Sequence, residues 1–114
     1  MPLYEHVYLA RQDISTQQVE NITKGMEDLI KKDGGAVEKV EYWGLKQLAY
    51  KIKKNRKAHY TLMNINASPE TLNEVERQIG LNENVIRHLT IKVDQFEEGP
   101  SIMMNAKNSD KSEE

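Results

Sequence analysis

The sequence of 114 residues contains no cysteine and no long apolar run. The absence of cysteine excludes disulfide bonds and zinc sites built on thiolates, and it favours a reducing compartment. No stretch approaches the roughly 18 consecutive apolar residues that a membrane-spanning helix needs. The first residues, MPLYEHVYLA, also lack the basic and apolar parts of a secretory leader. We therefore expect a cytoplasmic protein that has no membrane partner.

The sequence also lacks the short motifs of common catalytic and cofactor sites. It has no G-x-S-x-G turn, no phosphate-binding P-loop and no G-x-G-x-x-G turn. His6, His59 and His88 fall on three different predicted strands, and none has a second ligand at a metal-binding spacing. We therefore expect no enzymatic activity, cofactor, metal site or small-molecule substrate.

What the sequence does contain is an uneven distribution of charge. Residues 1–93 carry 14 basic and 12 acidic side chains, and residues 94–114 carry 2 and 6, so the tail accounts for the net charge of −2. The positive charge is concentrated in WGLKQLAYKIKKNRKAHY, residues 43–60, which contain no acid. We call the six cations of this stretch the basic run: Lys46, Lys51, Lys53, Lys54, Arg56 and Lys57.

Hydrophobic periodicity and capping signals predict six elements in residues 1–93. Ser15 and Gln18 form a capping-box pattern, Gly34 follows the first helix, and Ser68-Pro69 begins the second. The order is strand, helix, strand, strand, helix, strand, at residues 4–10, 15–33, 36–43, 59–67, 68–79 and 85–93.

This order predicts an α+β, ferredoxin-like βαββαβ domain, with a four-stranded antiparallel sheet and two helices on one face. We assign residues 1–93 to this domain, for binding RNA and protein. Residues 94–114 have no periodicity and are acidic, which predicts a disordered, flexible tail. Its apolar patch, Ile102-Met103-Met104, is either a docking segment or without a role.

The first strand is apolar on both sides. Tyr4, Tyr8 and Ala10 point one way, and Leu3, Val7 and Leu9 point the other. A sheet with helices on one face only should have a polar outer face unless something covers it. Either a protein partner covers the outer face or an edge strand, or the pattern is ordinary surface hydrophobicity.

The basic run is suited to phosphate backbones, because clustered cations displace counterions. The rings of Tyr42, Trp43, Tyr50 and Tyr60 flank it and are candidate partner contacts. RKAHYTLM, residues 56–63, lacks the glycine and two of the three rings of an RNA recognition motif, so we expect contact with an RNA backbone instead of base reading. The alternative is a solvated hairpin that lysine keeps soluble.

Four stretches resemble the bacterial small-subunit ribosomal protein S six family: Tyr4-Glu5, VEKVEYWGLKQLAYKIKK (37–54), AHYTLMNI (58–65) and LNENVIRHLTIKV (81–93). The resemblance implies a structural protein, not an enzyme, that joins the eighteenth small-subunit protein and binds small-subunit ribosomal RNA near helical junctions. Lys46 and Gln47 occupy the two basic or polar positions after Trp43-Gly44-Leu45, and Arg87 occupies the arginine of the V-[IR]-R motif. Many relatives have proline where this chain has Lys51.

The candidate RNA contacts are therefore Lys46, Gln47, Lys51, Lys53, Lys54, Arg56, Lys57 and Arg87. The competing hypothesis is a ferredoxin-like interaction or regulatory domain that binds another protein through its sheet and does not use RNA.

Overall fold

The structure is a computed structural model and describes residues 1–96. Its elements are β1 (Leu3–Arg11), α1 (Thr16–Lys32), β2 (Ala36–Ile52), β3 (Asn55–Asn66), α2 (Pro69–Leu81) and β4 (Val85–Val93). The four strands pair antiparallel throughout, in the order β2-β3-β1-β4. The predicted ferredoxin-like fold is confirmed. The predicted tail, residues 94–114, lies outside the described residues apart from its first three, and so does Ile102-Met103-Met104.

Both helices begin at the predicted caps. The hydroxyl of Ser15 accepts a hydrogen bond from the backbone N–H of Gln18 at 3.1 Å, and the Gln18 side chain accepts one from the Ser15 N–H at 2.9 Å. The Ser68 hydroxyl accepts from the N–H of Thr71 at 3.2 Å, at the start of α2. These caps satisfy N–H groups that the first turn leaves without helical partners.

The main core lies between the sheet and the two helices. The Tyr8 hydroxyl donates to the backbone carbonyl of Val19 at 3.0 Å and lies 2.7 Å from the Thr23 hydroxyl, which joins β1 to α1 inside this core. The buried members of the core are Tyr4, Tyr8, Ala10, Val19, Met26, Ile30, Met63, Ile65, Ala67, Leu72, Val75, Ile79 and Val85.

The second and third strands are longer than the sequence predicts. The predicted strand end at Trp43 and start at His59 are wrong, because β2 continues to Ile52 and β3 begins at Asn55. The pairing register shifts beside Gly44, whose φ is +89°. A glycine in this conformation permits a bulge, and the bulge changes which alternate residues face the core. The alternation of inward and outward side chains is therefore interrupted next to Trp43, the predicted end of the strand.

A second apolar cluster lies on the outer face of the sheet, the face opposite the helices. Among residues 1–96, its buried members come from strands alone: Val7, Leu9, Ala58, Tyr60, Leu62 and Ile86. Trp43, Leu48 and Ile52 of β2 pack against this cluster. These three side chains of β2 therefore cover part of the outer face, which helps to explain why β1 is apolar on both sides. Coverage by a protein partner remains a prediction.

A buried polar group lies on the helix side of the sheet. Nδ1 of the fully buried His6 is 2.7 Å from the Thr90 hydroxyl, and that hydroxyl donates to the Glu76 carboxylate at 3.2 Å. Because the Thr90 hydroxyl donates its proton to Glu76, its oxygen accepts the hydrogen bond from His6. Nδ1 of His6 is therefore the protonated nitrogen of the ring. Burial, and then repulsion from the stacked ring of His88, lower the pKa of His6 from 6.5 to about 4. His6 is therefore neutral at pH 7.

Candidate nucleic-acid interface

The basic run forms the distal half of the β2–β3 hairpin. Its tip is a two-residue connection, Lys53-Lys54, between the paired residues Ile52 and Asn55. Lys53 has φ of 48° and Lys54 has φ of 70°. A type I′ hairpin turn requires positive φ at both central residues, and its right-handed twist matches that of the strands. The hairpin therefore places two lysines at its most projecting point, at a cost in backbone strain.

Asn55 fastens the tip to the rest of the domain. Its buried amide donates to the carbonyls of Ile52 and Lys53, at 3.3 and 3.0 Å, and its side-chain oxygen accepts from the N–H of Gln12 at 3.1 Å. The Gln12 side chain in turn accepts from the N–H of Lys57 at 3.1 Å. The loop between β1 and α1 is thus hydrogen-bonded to the hairpin. These bonds restrain the backbone that carries the cations of the basic run.

The predicted RNA contacts lie at the surface. Lys46 is half-buried, and the other seven are exposed: Gln47, Lys51, Lys53, Lys54, Arg56, Lys57 and Arg87. The sequence has no acid between Glu41 and Glu70, so no carboxylate from the hairpin itself opposes this charge. The whole distal hairpin therefore presents a positive field to solvent.

Three of the cations face the outer side of the sheet. Lys46 lies opposite Ala58 in the register, and Ala58 belongs to the outer-face cluster. Arg56 points the same way, because it precedes Ala58 by two residues in β3. Arg87 of β4 lies opposite Leu9, another member of that cluster. The structure thus brings Arg87, which is distant in sequence, to the face occupied by Lys46 and Arg56.

A further contact links Arg87 to the hairpin. Its Nη1 atom donates to the Tyr50 hydroxyl at 3.2 Å. The sequence predicts Arg87 as an RNA contact and Tyr50 as a contact of the protein partner, because the spacing of 37 residues gives no sign of this pairing. Arg11 is a further cation of this face that the sequence pattern does not single out; it lies on the outer side opposite Ala58 and forms two hydrogen bonds, at 3.1 and 2.9 Å, with Asp13.

The four predicted partner rings do not form one surface. Tyr42 lies on the helix side, where its hydroxyl donates to Nδ1 of His59 at 2.7 Å, and Nε2 of that histidine donates to the Ile14 carbonyl at 2.9 Å. On the outer side, Trp43 stacks on Tyr60, with ring centroids 6.1 Å apart. Tyr60 is only 4% exposed, so a partner would meet Trp43 first. Tyr42 and Tyr50 are the more exposed rings, and both remain predicted partner contacts.

Two other kinds of site were predicted to be absent, and the described residues can be compared with those predictions. Within residues 1–96, no three side chains of the metal-binding types come together as a possible metal site. Over the same residues, no helix has the length and apolar character to span a membrane. The predicted separation of the histidines on three strands is correct, although pairing of β1 with β4 stacks His6 on His88 at 5.9 Å.

The turn itself offers a first test. Replacing Lys53 by Asn and Lys54 by Gly is expected to raise the free energy of unfolding by about 1 kcal/mol, because these residues adopt positive φ at lower cost. The control is Lys53→Gln with Lys54→Gln, which removes the same charge and keeps the strain. Urea unfolding measures both. Equal midpoints for the two variants would show that the turn is not strained.

Comparison with known proteins gives a consistent result. A family model described as Ribosomal protein S6 matches residues 3–92. The "Small ribosomal subunit protein bS6" of Gluconacetobacter diazotrophicus is 55% identical over 111 residues, which cover 97% of this chain and 69% of that protein. The protein of the same name from Beijerinckia indica is 57% identical over 110 residues, with coverage of 96% and 73%.

The fold has a solved counterpart. The crystal structure of 30S ribosomal protein S6 from Thermotoga maritima matches with a TM-score of 0.75, and the match covers 99% of this chain and 98% of that one. At 22% sequence identity, this likeness shows the shared fold.

Proposed function

Because the chain belongs to the ribosomal protein S6 family of the small ribosomal subunit, we propose that it is a structural component that binds small-subunit ribosomal RNA together with the eighteenth small-subunit protein. The observation that carries this proposal is the β2–β3 hairpin, which presents a cluster of cations in a stretch without acids. Phosphate contacts of this kind supply affinity and position a protein on RNA without reading bases.

The modest charge of the domain supports joint binding with a protein. Residues 1–93 carry a net charge of only +2, so the chain alone can neutralise few phosphates. The exposed apolar side chains of Val40, Tyr42 and Leu45 lie at the β2 edge of the sheet and suit a protein contact. A partner that covers apolar surface while adding its own cations would raise the affinity for RNA.

Three further proposals follow from this role. We place the protein on ribosomes in the cytoplasm, where it acts by assembly and not by catalysis. We assign RNA and protein binding to residues 1–93, and we treat residues 94–114 as an acidic tail with a charge of −4. Negative charge close to phosphates opposes binding, so the tail should act away from the RNA.

The function is tested by binding to protein-free small-subunit ribosomal RNA, with and without the eighteenth protein. Alone, the chain should bind with a dissociation constant of ~10⁻⁴ to 10⁻⁶ M, which is typical of non-specific phosphate contacts. The partner should tighten binding by about 5- to 150-fold, a usual range for coupled binding. Tight and specific binding by the chain alone would refute joint binding. Failure to bind RNA even with the partner would favour an interaction domain that does not use RNA.

A chain that ends at Val93 serves as the matched control for the tail. Its RNA binding should equal that of the full chain or be slightly stronger at low salt, with the difference fading as the Debye length falls to about 8 Å at physiological salt. If Ile102-Met103-Met104 anchors the partner instead, the truncation will weaken assembly at every salt concentration.

A further inference from the structure

The Tyr50–Arg87 contact joins two parts of the chain that the sheet order keeps apart. β2 and β4 are the two edge strands, with β3 and β1 between them. At about 4.8 Å per strand, edge strands of a flat four-stranded sheet are about 14 Å apart. Yet the Tyr50 hydroxyl lies 3.2 Å from Nη1 of Arg87. The side chains therefore reach toward each other across the outer face.

The position of Tyr50 is itself fixed by packing. It lies in the part of β2 where the regular pairing is interrupted, between the pairs made by Gln47 and Ile52. On either side of it in sequence, Leu48 and Ile52 pack against the outer-face cluster. Two anchored neighbours restrict where the phenol can go, although its ring is largely exposed.

The hydrogen bond between Tyr50 and Arg87 differs chemically from the ion pairs that neighbouring cations form. On the same face, Arg11 is bonded to the Asp13 carboxylate, and Lys39 forms an ion pair with Glu41 at 2.6 Å. A carboxylate neutralises its cation, whereas the neutral phenol of Tyr50 accepts a hydrogen bond and leaves the charge of Arg87 intact. Arg87 is therefore oriented and still able to bind an anion through its other N–H groups.

We infer that Tyr50 is a positioning residue for RNA binding, which holds Arg87 so that Arg87, Lys46 and Arg56 form one phosphate-binding surface across the outer face. The inference rests on the proposed function and adds to it: RNA phosphates meet cations from both edges of the sheet, and not the hairpin tip alone. An arginine loses rotamer freedom when it binds a phosphate. Tyr50 reduces that loss, because it already restrains the guanidinium in the free protein.

The test is a double-mutant cycle on the full-length chain, bound with the eighteenth protein to protein-free small-subunit ribosomal RNA. Tyr50→Phe removes only the hydroxyl and should weaken binding by about 3- to 10-fold, with little change in salt dependence, because no charge is lost. Arg87→Gln should weaken binding and lower the salt slope by roughly one unit. In the Arg87→Gln background, Tyr50→Phe should have no further effect.

Tyr8→Phe is the matched control, since it also removes a bonded tyrosine hydroxyl, but inside the core between β1 and α1. It should leave RNA affinity unchanged. Additive effects of Tyr50→Phe and Arg87→Gln would overturn the inference, as would an equal loss with Tyr8→Phe. If the variant with Lys53, Lys54, Arg56 and Lys57 changed to Gln keeps the original salt slope, the proposed function fails. If that slope falls but the cycle shows no coupling, this inference alone fails.

Discussion

Changing Lys53, Lys54, Arg56 and Lys57 to Gln is expected to reduce the salt dependence of RNA binding by roughly one unit of slope for each lost phosphate contact. Each phosphate contact contributes about 0.9 to the slope of log affinity against log salt, so four contacts contribute roughly 3 to 4 units. Between 50 and 200 mM salt, the original chain should lose about 100-fold more affinity than the variant. Filter binding across this range, with the eighteenth protein present in every sample, measures both slopes.

The fold should tolerate this change, which makes the result interpretable. All four side chains are exposed, and exposed substitutions usually alter stability by less than about 0.5 kcal/mol each. A control with the same loss of charge is available among the exposed lysines of α1 and of the helix-facing side of β4: Lys24, Lys31, Lys32 and Lys92. Changed to Gln, these should leave the slope near its original value. Equal slopes for the two variants would mean that only net charge matters.

Acidification from pH 6.5 to 4 is expected to destabilise the protein by up to about 3 kcal/mol through His6 alone. The folded-state pKa of His6 is lowered to about 4 by burial and by His88, whereas an unfolded histidine titrates near 6.5. Between these two pKa values, His6 is protonated in the unfolded chain and neutral in the folded chain. Stability therefore falls as the pH falls through this window, and it is unaffected by His6 above pH 6.5.

Urea unfolding at several pH values, for the original chain and for His6→Asn, measures the contribution. Asparagine retains an N–H near the position of Nδ1 and cannot titrate, so the variant should lose less stability on acidification, even if it is less stable overall. Hydrogen bonds from Arg77 and Gln78 hold the pKa of Glu74 at about 2, so its stabilising effect is lost only as the pH falls below about 4.5, and equally in both proteins. Parallel pH profiles for the two proteins would show that His6 is not the responsible group.

Local signals in the sequence were sufficient to predict the element order and where each helix begins. The predicted end of α2 at Ile79 is wrong, because the helix continues through Gly80 to Leu81. Ser15 with Gln18, and Ser68 with Pro69, act within one helical turn, so their effect can be read without knowing the fold. The end of β2 could not be predicted in this way. The bulge at Gly44 changes the phase of the alternation, and Lys53-Lys54 lacks the Asn-Gly signature of a type I′ turn.

The candidate interface was only partly predictable, for a different reason. The basic run is contiguous in sequence, so its charge is visible from composition. The contact between Tyr50 and Arg87 depends on the order of strands and on the packing of Leu48 and Ile52 over the outer face. These are tertiary features, and no local pattern in residues 43–60 or 85–93 encodes them.

The central claim, that the tip of the hairpin faces ribosomal RNA, is tested most directly by cleavage from a tethered iron chelate. The chain has no native cysteine, so Lys54→Cys gives a single attachment point at the tip, and Asp28→Cys gives one on the exposed side of α1. In small subunits assembled with each labelled protein, hydroxyl radicals from position 54 should cut the ribosomal RNA strongly, and those from position 28 weakly or not at all. Strong cuts from position 28 with none from position 54 would contradict the claim.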